Sequence, residues 1–431
     1  MAIIIATLLF PFMVQASFIE FEGASAKLQS TMGLDHFESG ADANVFGGSS
    51  AEKLASSQFS LNFISFMPNL SDFNGVITKN PVNSGETAES GHVKAPNTTQ
   101  NIVAVHALMP IGQKGRSQLG LSFLAPVDKL MELSTTDPYA PDYPLIRGRH
   151  QRTQFVVNLI YALEKFRLSA GILSGLSSQG ETYVVANDSG ASSPSSGKIQ
   201  FDARPEFSPI LSAYIPLHQD HQIFLNYQGK NESKIENNAG GLTPVGAANT
   251  PYSWKMTSLI HFDPAIYRAH YRYMMTKKIK LFLGFEYQDW SGYKTSALEL
   301  ENTGGILVSS SNPENFETRN ITIPKVAASF DFDKYQAFLG LSYRQSPLKI
   351  RTADSGNSLD LDRKVISLGA SSPFYGNRIY LAFQQHELVK KSVTKSQGLE
   401  TGGSGQKIGS PGYTASGSIS SLALGLHFAI D

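Results

Sequence analysis

Two neighbouring stretches of the chain alternate between apolar and polar side chains. From 267 to 273, tyrosine or alanine occupies every second position, and Arg268, His270 and Arg272 stand between them. After a short polar turn, leucine, phenylalanine and tyrosine take every second position from 281 to 287. Successive side chains of a strand point to opposite faces. The pattern therefore predicts two strands with one apolar face and one face that carries cations.

This distribution of side chains favours a membrane barrel over a soluble sandwich. A soluble sheet rarely covers its arginines while tyrosines and leucines face outward. In a transmembrane barrel the apolar face contacts lipid and the polar face contacts the lumen. We therefore predict an all-β protein, a transmembrane antiparallel barrel, whose lumen is lined by Arg268, His270, Arg272 and Phe282.

Strand-like segments recur along the chain, and their connections alternate in length. We count fourteen such segments after position 57, the longest of them Trp254–Met274. Short connections such as Asp333–Lys334 alternate with long polar ones such as Ser177–Glu206. Short turns on one side and long loops on the other are typical of outer-membrane barrels. We predict a fourteen-stranded barrel over residues 57–431, with both of its ends on the short-turn side.

The N-terminal residues differ from the rest of the chain. The apolar run Ile3–Val14 is shorter than the roughly 20 residues that a spanning helix needs. Small residues at Val14 and Ala16 match a secretory cleavage site, so we interpret residues 1–16 as a signal peptide, with a buried strand or helix as the alternative. Residues 17–56 are rich in glycine, alanine and serine and show no sustained alternation, which predicts a compact segment inside something larger.

Composition narrows the function classes. The 36 lysines and arginines balance 36 aspartates and glutamates, and this argues against a nucleic-acid binder. Charged residues make up only 17% of the chain, which is low for a soluble surface. The chain has no cysteine, which excludes disulfides and thiolate metal sites.

No sequence motif indicates catalysis. The chain has no Gly-x-Ser-x-Gly elbow, no His-Glu-x-x-His helix and no phosphate loop. Asp360, Asp362 and Arg363 allow a calcium site or, as we prefer, lumenal ion pairs. We expect no enzyme, no cofactor and no metal, although a barrel phospholipase or protease with a site built from distant strands stays open.

The lumenal cations and the aromatic residues near 290 each have two interpretations. Arg268, His270 and Arg272 can bind the carboxylate of a ligand, with Phe282 as a fourth ligand-binding residue, or the cations can form structural ion pairs with Glu286 and its neighbours. The aromatic residues are interpreted as an interfacial girdle, with ligand contact as the alternative. They are Tyr287, Trp290 and Tyr293.

Several blocks of sequence occur in an order that resembles the FadL family, outer-membrane transporters of long-chain fatty acids and other hydrophobic compounds. The blocks are Asp263-Pro264 leading to Tyr287–Ser291, then Tyr343–Pro347 followed by Asp360–Arg363, and the hairpin from Tyr214 to Lys230. The resemblance covers nearly all of the chain after the signal peptide. It implies a fourteen-stranded barrel plugged by an N-terminal hatch, with ligand captured on the extracellular side and released through a lateral gap in the wall.

The resemblance also implies a gate in the hatch. The family carries Asn-Pro-Ala just before the first strand, where this chain has Ser49-Ser50-Ala51 and keeps only the alanine. We predict that Phe46, Ser49, Ser50 and Ala51 form the gate. The loop Ser177–Glu206 departs from the family pattern because it is short compared with the corresponding loop of the family and has no amphipathic helix.

The function that follows is passive uptake of hydrophobic small molecules, such as long-chain fatty acids or hydrocarbons, across a bacterial outer membrane. We expect a monomer whose partners are the ligand and outer-membrane lipid, with no nucleic acid. Two alternatives remain at this point: a general diffusion porin, and a surface adhesin whose long loops bind a partner.

Overall fold

The computed structural model describes thirteen ranges of the chain. They are 24–37, 40–51, 56–79, 87–111, 116–127, 140–147, 153–182, 199–245, 248–293, 299–305, 317–349, 359–394 and 408–430. The predicted signal peptide, residues 1–16, lies outside them. No helix within these ranges is long and apolar enough to cross a membrane.

Within the described residues the chain forms nineteen strands. In chain order they are β1 (Ser57–Leu70), β2 (Phe73–Lys79), β3 (Glu89–Val93), β4 (Gln100–Ile111), β5 (Ser117–Pro126), β6 (Gln154–Ala162), β7 (Arg167–Thr182), β8 (Ile199–His218), β9 (His221–Gln228), β10 (Asn231–Val245), β11 (Ala248–Asp263), β12 (Ala265–Thr276), β13 (Ile279–Asp289), β14 (Glu299–Gly305), β15 (Ile321–Phe332), β16 (Tyr335–Arg344), β17 (Arg363–Phe374), β18 (Asn377–Thr394) and β19 (Gly412–Ile430).

Fourteen of these strands close into one antiparallel barrel, which confirms the predicted fold class. Each barrel strand pairs with the barrel strands before and after it in the chain, and β1 pairs with β19 to close the ring. The seam runs from Ser57 opposite Ile430 to Leu70 opposite Gly417. The described ladders join every neighbouring pair, so the wall is closed over these residues and shows none of the lateral gap that the resemblance implied.

The remaining five strands form two small sheets outside the barrel. Strands β2 and β3 make a hairpin, and β10, β11 and β14 make a three-stranded sheet. The prediction of one strand over Trp254–Met274 is therefore wrong. Its first part ends β11 at Asp263, and β12 begins at Ala265. Pro264 lies between them, and because proline has no amide hydrogen it cannot continue a ladder.

The predicted loop Ser177–Glu206 is also partly wrong. Strands β7 and β8 continue their ladder beyond the barrel as far as Thr182 opposite Ile199. Of the predicted loop, only residues 183–198 lie outside the described part of the chain. One short helix, α2 (Pro144–Arg147), lies within the long connection between β5 and β6.

The outer face of the barrel is apolar, as the alternation predicts. On β13, Leu283 and Phe285 are 49% and 59% exposed, whereas Phe282 and Glu286, which flank them in the sequence, are buried. The same alternation recurs around the ring, for example at Leu339 and Leu341 on β16. This surface suits contact with lipid chains.

A charge on this face tests its contact with lipid. Leu283 lies at the middle of β13, so Leu283→Arg is expected to destabilise the bilayer-folded protein by about 2–4 kcal/mol. Leu217 lies beside a turn at the end of β8, and Leu217→Arg is the matched control, with an expected cost of about 0–1 kcal/mol. Denaturant unfolding from vesicles measures both values. Equal costs at the two depths would contradict the assignment.

The described part of the predicted hatch, 24–37 and 40–51, lies inside the barrel, and we refer to it as the plug. It contains the helix α1 (Ala26–Ser30) and a 3₁₀-helix, Ala41–Phe46. Ser25 caps α1 by accepting a hydrogen bond from the Leu28 amide at 3.2 Å. Almost every residue of the plug is buried, and α1 contacts β17, β18 and β19 while the 3₁₀-helix contacts β4 and β5.

Glycines on the inner wall make room for the plug. A methyl group at these positions would overlap a plug residue, or the wall would have to shift. The pairs are Gly120 with Asn44, Gly284 with Leu34, Gly340 with Met32 and Gly369 with Ser30. The plug therefore fits an inner wall that has glycine, and so no side chain, at these contact points.

Candidate functional site

Apolar side chains fill the end of the barrel that carries the long connections. Phe73 stacks on Tyr143, with ring centroids 5.2 Å apart, and meets Tyr413 at 5.3 Å. These three buried rings are called the mouth cluster. The same contiguous cluster of buried apolar residues continues down to Leu28 and Phe37 in the plug. Contacts between buried apolar side chains thus run without a break from the mouth cluster to the plug.

His36 joins the plug to the wall. Its Nε2 lies 2.7 Å from Nδ1 of His270 on β12, and its Nδ1 lies 2.9 Å from the Ser50 hydroxyl oxygen. The Ser50 hydroxyl in turn donates to the His36 carbonyl at 3.0 Å. Three phenylalanine rings surround the His36 imidazole: Phe224 at 4.1 Å, Phe37 at 4.6 Å and Phe46 at 5.5 Å between centroids.

The cationic row predicted from the alternation is buried against the plug. Arg268 contacts Glu286 at 3.0 Å, and Lys325 contacts the same carboxylate oxygen at 3.1 Å. Arg268 also donates to the Asn226 side-chain oxygen at 2.8 Å. The structural ion pair with Glu286, one of the two interpretations of the sequence, is therefore present. A ligand carboxylate at Arg268 would have to compete with it.

Arginine side chains also cover two rings of the plug. The Arg268 guanidinium lies 5.1 Å from the centre of the Phe46 ring, and that of Arg272 lies 5.6 Å from the Phe37 ring. Phe282, the fourth predicted ligand residue, is fully buried and meets Phe37 at 6.3 Å. All four predicted ligand residues thus converge on the plug rather than on an open channel.

The four residues predicted to form the gate each contact either the wall strands β7 to β9 or His36. Asn226 donates to the Phe46 carbonyl at 2.9 Å. The Ser212 hydroxyl donates to the Ser49 hydroxyl at 2.6 Å. The Arg167 guanidinium donates to the Ala51 carbonyl, and Ser50 bonds to His36 as described above. The segment is therefore held at successive points along its length.

Sequence reasoning missed the wall partners of the gate and missed His36 itself. Asn226 and Ser212 are polar residues at alternating positions of ordinary strands, and nothing in their local sequence marks them. His36 did carry a signal, because it is the one histidine before position 92. A polarizable ring among small residues indicates a specific contact more strongly than another serine does.

Two further histidines hold the plug. His106 on β4 places its Nε2 2.9 Å from the carbonyl oxygen of Ala24. His427 on β19 places its Nε2 2.9 Å from the Asp42 carboxylate. Burial acts to raise the pKa of Asp42, but the adjacent His427 outweighs it and holds that pKa below its usual value. Burial, and then the charges of His270 and Arg268, lower the pKa of His36 well below its usual value.

The structure corrects one aromatic prediction and resolves the acidic group. Trp290 is fully buried and donates to the Gln288 side-chain oxygen at 2.9 Å, so its interpretation as part of an interfacial girdle is wrong. Tyr293 is also buried, whereas Tyr287 is 39% exposed on the outer face.

Asp360 pairs with Arg363 at 2.8 Å, which is the ion pair that we preferred to a calcium site.

No family model matches the chain, and no curated protein sequence matches it. Solved structures do match over nearly its full length. A FadL homologue of Pseudomonas aeruginosa aligns with 97% of this chain and 99% of its own, at a TM-score of 0.65 and 16% identity. The chain has the FadL fold.

Two toluene transporters share the FadL fold with this chain. TbuX of Ralstonia pickettii covers 96% of this chain and 100% of its own, with a TM-score of 0.54 and 11% identity. TodX of P. putida covers 95% and 99%, with a TM-score of 0.51 and 12% identity. The resemblance to FadL that the ordered sequence blocks predicted is thus confirmed as a likeness of fold.

Proposed function

We propose that this protein carries hydrophobic small molecules passively across a bacterial outer membrane and that the plug gates the route. The observation that supports this most is the continuous set of buried apolar contacts from the mouth cluster to the plug. A hydrophobic ligand dissolves in lipid but does not cross a polar saccharide leaflet. An apolar lining offers it a path that avoids that leaflet, and burial of its surface provides the driving force.

The plug favours this function over a general diffusion porin. A porin needs an open polar lumen. Here the plug occupies the lumen, where Asn44, Leu34, Met32 and Ser30 pack against the wall. The named functions of the structural neighbours, two toluene transporters among them, support transport without covalent chemistry. Such a protein works as a monomer surrounded by lipid.

In this proposal the mouth cluster captures the ligand and the segment Phe46–Ala51 moves to let it pass. Arg268, His270, Arg272 and Phe282 then lie at the boundary between the apolar lining and the gate. A ligand opens the gate only if it binds the open plug more tightly than the closed one, because equal affinity for both shifts nothing. An anionic headgroup has that preference if it takes the place of Glu286 beside Arg268.

A disulfide between the plug and the wall tests whether the plug moves. The Ser49 and Ser212 hydroxyl oxygens are 2.6 Å apart, and the chain has no native cysteine to interfere. The double variant Ser49→Cys/Ser212→Cys is expected to bind a fluorescent fatty acid, to lose its uptake when oxidised and to regain it with reductant. Uptake into cells that depend on this protein gives the readout.

The wall provides a matched control for this cross-link. Ser169 and Ser212 are directly opposite on β7 and β8, with hydroxyl oxygens 2.6 Å apart. The variant Ser169→Cys/Ser212→Cys therefore places a disulfide within the wall and leaves the plug free, so its uptake should not depend on oxidation. Undiminished uptake through the fully oxidised Ser49–Ser212 pair would mean that ligand passes a fixed plug. An adhesin would show no uptake in any state.

A further inference from the structure

The three histidine contacts between plug and wall respond differently to protons. His106 faces a carbonyl oxygen and His427 faces a carboxylate. Both oxygens are hydrogen-bond acceptors, and a protonated imidazole can still donate to them. His36 faces another imidazole, His270, at 2.7 Å. A pair of imidazoles forms a hydrogen bond when one of the two contacting ring nitrogens carries a proton and the other does not. When both rings are protonated, two donors and two positive charges face each other.

We propose that Ser50, His36 and His270 form an acid-sensitive latch that holds the plug closed and releases it as the pH falls. The latch rests on the proposed role of the plug as the gate, and it names what regulates that gate. Ser50 belongs to the gate segment, His36 to the preceding turn of the plug and His270 to the wall. Breaking the imidazole pair therefore detaches the gate segment from β12 at one point.

The charged groups around the latch make added protons unfavourable. Arg268 and Arg272 lie on either side of His270 along the inner face of β12. Lys27 of the plug also raises the positive potential at His36, and it lies 3.8 Å from Asp35. The nearest carboxylate on β13, Glu286, is already held by Arg268 and by Lys325 of β15. Each carboxylate among these groups already contacts a cation, so a second positive charge on the imidazole pair would not be balanced by one of them.

The direction of the pH effect follows from where the protons bind. In the closed state the imidazole of His36 resists protonation, and once the latch opens to water it regains a pKa near 6.5. The open state therefore binds more protons below that pH. The ratio of closed to open protein is unaffected above about pH 6.5 and falls below it by up to about tenfold per pH unit for each proton taken up.

Single-channel conductance across planar bilayers between pH 7.5 and 5 tests the latch without any hydrophobic ligand. The native protein is expected to open progressively more often as the pH falls below about 6.5. The variant His36→Gln/His270→Asn places a side-chain amide where each contacting imidazole nitrogen lies. Amides do not titrate in this range, so the open probability of the variant should not change with pH. His386→Gln is the control, because His386 is a buried lumenal histidine whose Nε2 faces Gln384 at 3.3 Å, and it should keep the native response.

A second measurement keeps the test decisive if the His36→Gln/His270→Asn substitutions themselves loosen the plug. Ala43 is fully buried in the plug, so Ala43→Cys reports plug exposure through its rate of labelling by a water-soluble thiol reagent. At each pH the rate is compared with that of the same cysteine in the His36→Gln/His270→Asn background, and the pH dependence of the thiol cancels. An equal acid response in the two backgrounds, or none in either, overturns the latch. If the native protein shows the acid response but takes up no hydrophobic ligand, the proposed transport is overturned and the latch is not.

Discussion

Gly284→Leu is expected to displace the plug and to open the barrel to ions. Any side chain at Gly284 overlaps the Leu34 side chain of the plug, and its first carbon would also lie 3.0 Å from the His270 ring. Overpacking of this kind costs about 1–3 kcal/mol, so the ratio of closed to open protein should fall by a factor of roughly 5 to 150. Conductance across planar bilayers measures this change.

Two companion variants show whether the effect passes through the plug. Ala328 lies on the neighbouring strand β15 with its side chain on the outer face, and Ala328→Leu should leave conductance at the native level. Gly284→Leu combined with Leu34→Ala removes the overlap from the plug side and should recover much of the closed state. If Gly284→Leu opened the barrel equally with and without Leu34→Ala, the steric explanation would be wrong.

Glu286→Gln is expected to destabilise the folded protein by about 3–5 kcal/mol. Glu286 is the carboxylate that both Arg268 and Lys325 contact, and all three side chains are buried. Removing its charge leaves two cations facing each other away from water. Denaturant unfolding from vesicles measures the loss, and the folded fraction that remains should conduct more often, because Arg268 also covers the Phe46 ring of the plug.

The control and the compensating variant for Glu286 separate charge balance from packing. Glu387 lies on the exposed face of β18, so Glu387→Gln should change stability by less than about 0.5 kcal/mol. Adding Lys325→Met to Glu286→Gln removes one of the stranded cations and should restore part of the loss. A cost for Glu286→Gln no larger than that for Glu387→Gln would show that water screens this lumenal group.

The barrel was predictable because its two media impose a period of two on every strand. Lipid on one side and the lumen on the other produce the alternation of Leu283 and Phe285 with Phe282 and Glu286, and this signal survives at very low sequence identity. The small outer sheets had no such signal. Strand β11 lies outside the barrel yet reads as a continuation of β12, and only Pro264 separates them.

The candidate site was predictable by residue type but not by partner. The alternation placed Arg268, His270 and Arg272 on the inner face, where they are. It gave no information on what they contact, because the plug has no periodic pattern that fixes its position in the lumen. The pairing of His36 with His270 joins positions 234 residues apart, and no local rule reports such a contact. Trp290 was misplaced for a related reason, since an interfacial position and a buried one have the same local sequence.

The seam between β1 and β19 determines the order in which this protein can assemble. These strands lie at opposite ends of the barrel sequence, so the ring closes only after the whole chain is present. The plug precedes β1 and touches both seam strands: the Ala26 amide donates to Asn62 of β1 at 3.0 Å, and the Ser421 hydroxyl of β19 donates to Gln29 at 3.0 Å. These hydrogen bonds join the plug to both the first and the last strand of the ring. The segment that fills the lumen of the finished barrel thus also bridges the two strands that complete the ring.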